Sequence, residues 1–166
     1  MTLHDFSFRH RSDTSDHRPR LDRFEGADPV EGGPDGLKLL LVRIAAVRRL
    51  REHHVWEAVR LLRDGTDLAP FDWPSRRFRE LMAADALVDA IIHLTTSTRA
   101  KLCLRTLSHE CGIWTCTLRY APEGAGRVTF KGRHADLASA ILAAFLNCCR
   151  AFSIASGSTG RGHLPT

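Results

Sequence analysis

The sequence predicts an α+β fold, in which a leading amphipathic helix precedes an α-β-β-β-α unit with a three-stranded antiparallel meander packed on helices. Two changes of hydrophobic period predict this class. Apolar residues recur at three- and four-residue spacing as far as residue 94, which is typical of helices, and at every second residue between 101 and 131, which is typical of strands. After residue 136 the helical spacing returns. A chain of 166 residues is long enough for one such domain with a hydrophobic core.

The two ends of the chain lack this patterning. Residues 1–36 are rich in Arg, Asp and Gly, and the chain ends in the Gly- and Ser-rich run SGSTGRGHLPT. We predict a disordered or loosely attached polar arm over 1–36, a single α+β domain over 37–154 and a flexible tail over 155–166.

The first predicted helix spans residues 37–63. Asp35 is a suitable N-cap and Gly65 a suitable residue just beyond the last turn, although the apolar stripe weakens over 48–54. The opposite face of this helix is basic, and it includes a cluster of three arginines, Arg48, Arg49 and Arg51.

A second helix is predicted between the loop TDLAPFDWP and the run TTST at 95–98. Asp72 is a suitable N-cap, which places Trp73 and Pro74 in the first turn, where proline is tolerated. The predicted buried stripe contains Phe78, Leu81, Met82, Val88, Ile91 and Ile92.

Three strands are predicted at 101–107, 113–120 and 127–131. Their register follows from the requirement that apolar side chains share one face of the sheet. Around a first hairpin, centred on Glu110, the predicted pairs are Leu102 with Leu118, Leu104 with Cys116 and Thr106 with Trp114. Around a second hairpin, centred on Gly124, they are Leu118 with Phe130 and Tyr120 with Val128.

This register leaves the other face of the meander polar. Four of its predicted side chains are cations, and none is acidic or aromatic. The predicted members are Lys101, Cys103, Arg105, Thr115, Thr117, Arg119, Thr129 and Lys131.

The last predicted helix, residues 136–152, has two adjacent apolar stripes. A helix that is apolar on two sides is buried on both. One side is expected to pack on the sheet, and the other on either the first helix or a second subunit. A homodimer through the 136–152 helix is therefore one of the predicted arrangements.

The element order of residues 75–152, with its inward Trp114 and the Ala-rich segment RVTFKGRHADLASAILAAFLNC, resembles the small ABA-sandwich proteins of phages and mobile elements. It is also similar to the order of elements in double-stranded RNA-binding domains. That family places a lysine cluster at the start of its last helix. The corresponding stretch here, KGRHADLAS, has Lys131, Arg133 and His134 but also Asp136.

The charge is unevenly distributed along the chain. Residues 1–36 have five arginines against eight acids, whereas residues 99–166 have nine basic side chains against three acids. The chain has five cysteines, an odd number, and its N-terminal segment contains no apolar run long enough for a signal peptide. We therefore expect reduced thiols, a cytoplasmic location and no membrane association.

The segment SHECGIWTC, residues 108–116, is the main candidate for catalytic chemistry. Zinc binding requires four ligands, and the predicted register points Cys103 and Cys116 to opposite faces. A reactive thiol at Cys111 would gain from His109 but would be opposed by Glu110. Residues 109–112 are predicted to form a turn, with Gly112 as a bulge or left-handed residue, and Trp114 and Cys116 are predicted to face the core; no cofactor is predicted.

The basic surfaces are the stronger functional indication. We expect a small non-enzymatic accessory or regulatory protein that binds an acidic protein surface or nucleic acid. The alternatives are an ordinary solvated sheet face, a sheet face covered by the acidic N-terminal arm, and a thiol- or zinc-dependent enzyme centred on His109 and Cys111. The residues predicted to bind the partner are Lys101, Arg105, Arg119 and Lys131, with Arg48, Arg49 and Arg51 as a second patch.

Overall fold

The computed structural model describes residues 34–65, 73–100, 102–120 and 127–158 of the chain. Within these ranges there are five helices and three strands, which confirms the predicted α+β class. In chain order they are α1 (Pro34–Ala46), α2 (Glu52–Gly65), α3 (Arg76–Ala83), α4 (Leu87–Thr96), β1 (Cys103–Glu110), β2 (Ile113–Tyr120), β3 (Val128–His134) and α5 (Leu137–Ser158).

The three strands form an antiparallel meander in the order β1-β2-β3. The predicted register of the second hairpin is confirmed, because Leu118 lies opposite Phe130 and Tyr120 opposite Val128.

The predicted register of the first hairpin is wrong. Leu118 lies opposite Leu104, Cys116 opposite Leu107, and Trp114 opposite His109. The turn consists of two residues, Cys111 and Gly112, with φ of 49° and 77°, rather than being centred on Glu110. A two-residue turn with both φ positive matches the twist of the flanking strands, and the register shift between Leu104 and Thr106 then keeps Leu104 on the apolar face.

The predicted first helix is two helices, α1 and α2, separated at residues 47–51. The break is stabilised by contacts that a continuous helix could not make. Leu50 is buried, and its N–H donates to Asp136 Oδ2 at 3.2 Å. The N–H of Arg51 donates to His54 Nδ1 at 3.2 Å, so the imidazole caps the start of α2.

The predicted second helix is also divided, because Asp85 adopts a left-handed φ of 54° between α3 and α4. The capping residue of α3 is Ser75, whose Oγ accepts the N–H of Phe78 at 3.2 Å. Trp73 and Pro74, joined by a cis peptide bond, precede the helix instead of starting it, and Asp72 lies outside the described residues.

Helix α5 lies at the centre of the molecule. One side packs on β2 and β3, and the other packs on α1 and α4. Gly132 on β3 makes the closest approach, since a Cβ at this position would lie 2.1 Å from the carbonyl oxygen of Ala140. The second apolar stripe of α5 is thus covered within one chain, as the first-helix alternative predicts, and the homodimer through the 136–152 helix stays a prediction.

The predicted domain limits differ slightly from the helix ends. Helix α1 begins at Pro34, inside the predicted arm, and α5 continues to Ser158, inside the predicted tail. The rest of the predicted arm and tail lies outside the described residues. In the described ranges, no helix has the length and apolar character needed to cross a bilayer.

Candidate functional site

The polar sheet face is defined by the observed register. On β2 it presents Ile113, Thr115, Thr117 and Arg119, and on β3 it presents their partners. Among the described residues, the side chains on the polar sheet face are those of Cys103, Thr106, Ser108, Glu110, Ile113, Thr115, Thr117, Arg119, Thr129, Lys131 and Arg133. Its composition is dominated by cations and hydroxyl groups.

The predicted binding residues divide into three groups here. Arg119 and Lys131 lie on the polar sheet face. Arg105 is exposed and lies at the register shift of β1, at the edge of this face. Lys101 lies outside the described residues. Arg133 also belongs to the face but was not predicted, although continuing the alternation two residues beyond Lys131 would have found it.

Each cation of the polar sheet face lies opposite a threonine of the neighbouring strand, and Lys131 and Arg133 are neighbours on β3. Arg119 lies opposite Thr129, while Lys131 and Arg133 lie opposite Thr117 and Thr115. Like charges directly opposite each other destabilise a sheet, and this arrangement avoids them. Within the described part of the chain, Arg119, Lys131 and Arg133 make no ion pair.

Two further features of this face concern an acidic side chain and an unpaired hydrogen-bond donor. Glu110, at the hairpin end of β1, lies on it, so the prediction that it contains no acid is wrong. Its position beside the turn leaves the cations of β2 and β3 without a carboxylate opposite them. The Nε of Arg119 is buried without a hydrogen-bond partner, so this guanidinium, near the end of the middle strand, has an unsatisfied donor.

The second predicted patch, Arg48, Arg49 and Arg51, lies on the α1–α2 connection rather than on a helix face. All three side chains are exposed. The N–H of Leu50 donates a hydrogen bond to Asp136, which follows Arg133 by three residues. This bond holds the connection beside the end of β3. These three arginines are therefore nearest to the Arg133 end of the sheet, whereas Arg105 and Arg119 of the first predicted patch lie toward its opposite end.

Residues 47–51, which join α1 to α2 and include Arg48, Arg49 and Arg51, are called the arginine connection below. A cleft of about 630 Å³ lies next to it. Trp56 forms part of its wall, with its Nε1–H donating to Glu52 Oε1 at 2.8 Å. Two carboxylates in the lining oppose the positive charge of the arginines. The lining residues are Arg49, Leu50, Arg51, Glu52, His53, Trp56, Asp85 and Leu87. Sequence spacing did not predict this cleft, because its far wall comes from the α3–α4 turn.

His54 stabilises the arginine connection by accepting a hydrogen bond from the backbone N–H of Arg51. Burial, reinforced by the nearby charge of His53, lowers the pKa of His54 below its usual value. The lowered pKa favours the neutral ring, whose Nδ1 accepts the Arg51 N–H.

The two cysteines and the one histidine of SHECGIWTC are not brought together as a catalytic centre. The His109 ring packs on Trp114, with ring centroids 4.5 Å apart, on the apolar side of the sheet. Cys111 is exposed in the turn, and Gly112 has the predicted left-handed conformation. Among the described residues, no three His, Cys, Asp or Glu side chains are placed to share a metal ion.

Three other cysteines are buried, and burial disfavours their thiolates. It raises the pKa of Cys116 to about 11 and that of Cys148 to about 12. The pKa of Cys149 is raised well above its usual value, by burial and by the adjacent Cys148. These thiols behave as small apolar core side chains.

Comparison with known proteins identifies no relative. No family model, no curated protein and no solved structure matches the chain.

Proposed function

We propose that the protein binds double-stranded nucleic acid, without sequence preference, by contacting phosphate groups with the polar sheet face. The observation that supports this most directly is that Arg119, Lys131 and Arg133 lie on one face of the sheet, each opposite a threonine of the neighbouring strand. The protein acts by binding, as an accessory or regulatory factor. This role agrees with the resemblance in element order to small phage and mobile-element proteins.

The side-chain types match a phosphate backbone better than they match a protein partner. Arg, Lys, Ser and Thr are the side chains that most often donate to phosphate oxygens. Protein interfaces instead depend on aromatic and apolar anchors, and the polar sheet face has only Ile113 of that kind. An acidic protein surface is therefore the second choice, and the experiment below separates the two.

A duplex is favoured over a single strand because the face lacks aromatic rings. Proteins that bind single strands stack bases on aromatic side chains, which contribute about 1–3 kcal/mol per base. Here the polar side of all three strands is free of aromatic residues. Phosphate contacts alone suit a duplex, whose bases are already stacked.

The arginine connection extends the proposed surface. Arg48, Arg49 and Arg51 lie beside the end of β3, close to Arg133 in the fold. A duplex crossing the polar sheet face toward this end would meet these arginines next.

The test is the salt dependence of binding to a fluorescein-labelled DNA duplex, measured by fluorescence anisotropy. Each neutralised phosphate contributes a slope of about −0.9 to the plot of log K against log [salt]. Three contacts on the face predict a slope of roughly −3 for the wild-type protein, and contacts by Arg48, Arg49 and Arg51 would make the slope steeper. The double variant Lys131→Glu, Arg133→Glu should bind at least tenfold more weakly, with a slope reduced by about two.

The matched control is Arg60→Glu, Arg79→Glu, which makes the same charge change on the exposed surfaces of α2 and α3. This control should bind almost as well as the wild type. Equal losses in both double variants would show that net charge alone attracts DNA, and would overturn the assignment to the sheet face. Absence of duplex binding, together with capture of an acidic protein that Lys131→Glu, Arg133→Glu abolishes, would identify the second choice as correct.

A further inference from the structure

Among the described residues, no strand pairs with the outer edge of β1. β1 lies at one side of the sheet, and its described strand partner is β2. In a two-residue hairpin the flanking residues Glu110 and Ile113 exchange both backbone hydrogen bonds, and the pattern then alternates along the strand. The N–H and C=O groups of Leu107 and His109 therefore point away from β2, toward the free edge.

The opposite edge of the sheet is different. At β3, the side-chain amide of Asn147 on α5 donates to the carbonyl oxygen of Lys131 at 3.0 Å. Helix α5 also packs along β3. Within the described part of the chain no comparable group covers the edge of β1.

The described residues cover the apolar side of β1 only in part. Leu104 and Leu107 are 39% and 40% exposed, whereas their partners Leu118 and Cys116 on β2 are fully buried. Leu104 borders a narrow apolar crevice, whose other walls include Ile92 on α4 and Ile141 on α5. A strand with exposed leucines and an unpaired edge is the type of element that recruits another strand.

The charges of β1 indicate which strand fits. Arg105 lies near its start and Glu110 at its end, and neither forms an ion pair within the described residues. When such a strand pairs with itself in an antiparallel sense, each Arg105 approaches the partner's Glu110. A parallel arrangement would instead place like charges together.

We propose that two copies of this chain dimerise by antiparallel pairing of β1 with β1, which forms a continuous six-stranded sheet. The register shift at Arg105 limits the flat part of the strand to residues 106–110. Pairing centred on Ser108 uses all of this part, with Thr106 opposite Glu110 and Leu107 opposite His109 of the other copy. Leu107 of each copy then packs at the new interface.

The dimer has a consequence for nucleic-acid binding, which rests on the proposed function. A twofold axis perpendicular to the sheet keeps both polar sheet faces on the same side. The three cations of each copy then form one basic surface across six strands. The dimer itself follows from the edge, the exposed leucines and the strand charges, and it does not depend on what that surface binds.

Charge exchange at the two ends of β1 tests the proposal. The full-length wild type, of 18.5 kDa, should show twice this mass by light scattering at high concentration, and the dimer should dissociate on dilution. Arg105→Glu places two acids together at each end of the interface, and Glu110→Arg places two arginines there. Each variant should weaken dimerisation about tenfold or more, because both of the ion pairs become repulsive.

An equimolar mixture of the two variants provides the decisive measurement. In a mixed dimer, the two acids at the ends of β1 in the Arg105→Glu chain lie beside the two arginines of the Glu110→Arg chain. Dimers should therefore form again at the wild-type concentration. Both substitutions are on exposed side chains, so folding should be unaffected. A wild type that stays monomeric, or variants that dimerise as well as the wild type separately, would overturn the proposal.

The control Lys131→Glu, Arg133→Glu should dimerise normally, because both residues lie on β3. Its DNA affinity reports on the proposed function, whereas the mass of the β1 variants reports on the dimer. A dimer without DNA binding refutes the function only, and a monomer with salt-dependent DNA binding refutes the dimer only.

Discussion

The β3 side and the β1 side of the sheet have similar apolar patterns but are packed in different ways. On the β3 side, α5 covers the apolar face so closely that Gly132 has no room for a Cβ. On the β1 side, every residue of the strand is exposed, including Leu104 and Leu107. The β2–β3 register was predicted correctly and the β1–β2 register was not.

The difference has a physical cause. Register is specified strongly where one face is buried, because a slip of one residue would expose every apolar side chain. The β2–β3 pair satisfies this condition. At β1 little burial depends on the register, and the two-residue turn at Cys111 and Gly112 sets it instead.

The largest expected difference in stability is between two glycine variants, one on the β3 side of the sheet and one at the β1–β2 turn. In Gly132→Ala the new methyl group would lie 2.1 Å and 2.4 Å from backbone atoms of Ala140 and Ala144, which cannot move independently of α5. We expect a loss of about 3 kcal/mol or more in the free energy of unfolding, measured by urea denaturation.

Gly112→Ala is the matched control in the other half. Nothing lies within 4 Å of the added Cβ, but the φ of +77° costs an alanine about 1 kcal/mol. Equal losses of stability in Gly132→Ala and Gly112→Ala would show that α5 does not pack on β3 as closely as in this structure.

The next largest effect distinguishes two leucines on the same apolar face. Leu118→Ala on β2 removes a fully buried side chain and should cost about 2–5 kcal/mol. Leu107→Ala on β1 removes a side chain that is 40% exposed, and should cost less than about 1.5 kcal/mol. Urea denaturation at low protein concentration keeps the β1 edge unpaired during the comparison.

A cost for Leu107→Ala equal to that of Leu118→Ala would mean that the apolar side of β1 is covered in solution. The concentration dependence of that cost would then show whether a second copy covers it.

The same contrast explains what sequence patterns predicted. The α+β class, the location of the helical and strand regions and the second hairpin all depend on local periodicity and on burial by α5. The breaks in the two long predicted helices do not depend on local periodicity or on burial by α5. Leu50 donates to Asp136, which is 86 residues away, and no local pattern encodes that contact.

The candidate site shows the same limit. Arg119 and Lys131 were placed on one face because the β2–β3 register was correct. Glu110 was missed on that face because the first hairpin was centred on it instead of on Cys111 and Gly112. The cleft beside Trp56 was missed because it is assembled from separate helices.

An intermediate effect is expected at Asp136, which fastens the β3 side to the rest of the fold. Its Oδ2 accepts hydrogen bonds from Leu50 N–H, Ser139 N–H and Ser139 Oγ–H, at 3.2, 3.0 and 2.8 Å. Asp136→Ala removes the cap of α5 and leaves the buried Leu50 N–H unpaired, so it should cost about 1–3 kcal/mol. Thermal or urea unfolding measures the loss.

Asp136→Asn retains an acceptor oxygen of the same shape and should recover most of this stability. Asp89→Ala, at an exposed position in the first turn of α4, is the control and should change stability by less than about 0.5 kcal/mol. Equal losses for Asp136→Ala and Asp89→Ala would contradict the anchoring role.

The smallest expected effect is an increase in the free energy of unfolding, caused by a substitution on the β1 side. Cys111 occupies the first position of the two-residue turn with a φ of 49°, a conformation that costs most residues about 1–2 kcal/mol but that asparagine tolerates. Asn-Gly is a preferred pair for this turn, so Cys111→Asn should stabilise the protein by roughly 0.5–1 kcal/mol. The urea midpoint under reducing conditions measures the gain, and Cys103→Asn, at an exposed strand position, should give none. Because turn geometry, rather than burial, sets the register of β1, the stability of this half should respond to the turn residue. A loss of stability in Cys111→Asn would show instead that the thiol makes a stabilising contact at the hairpin end.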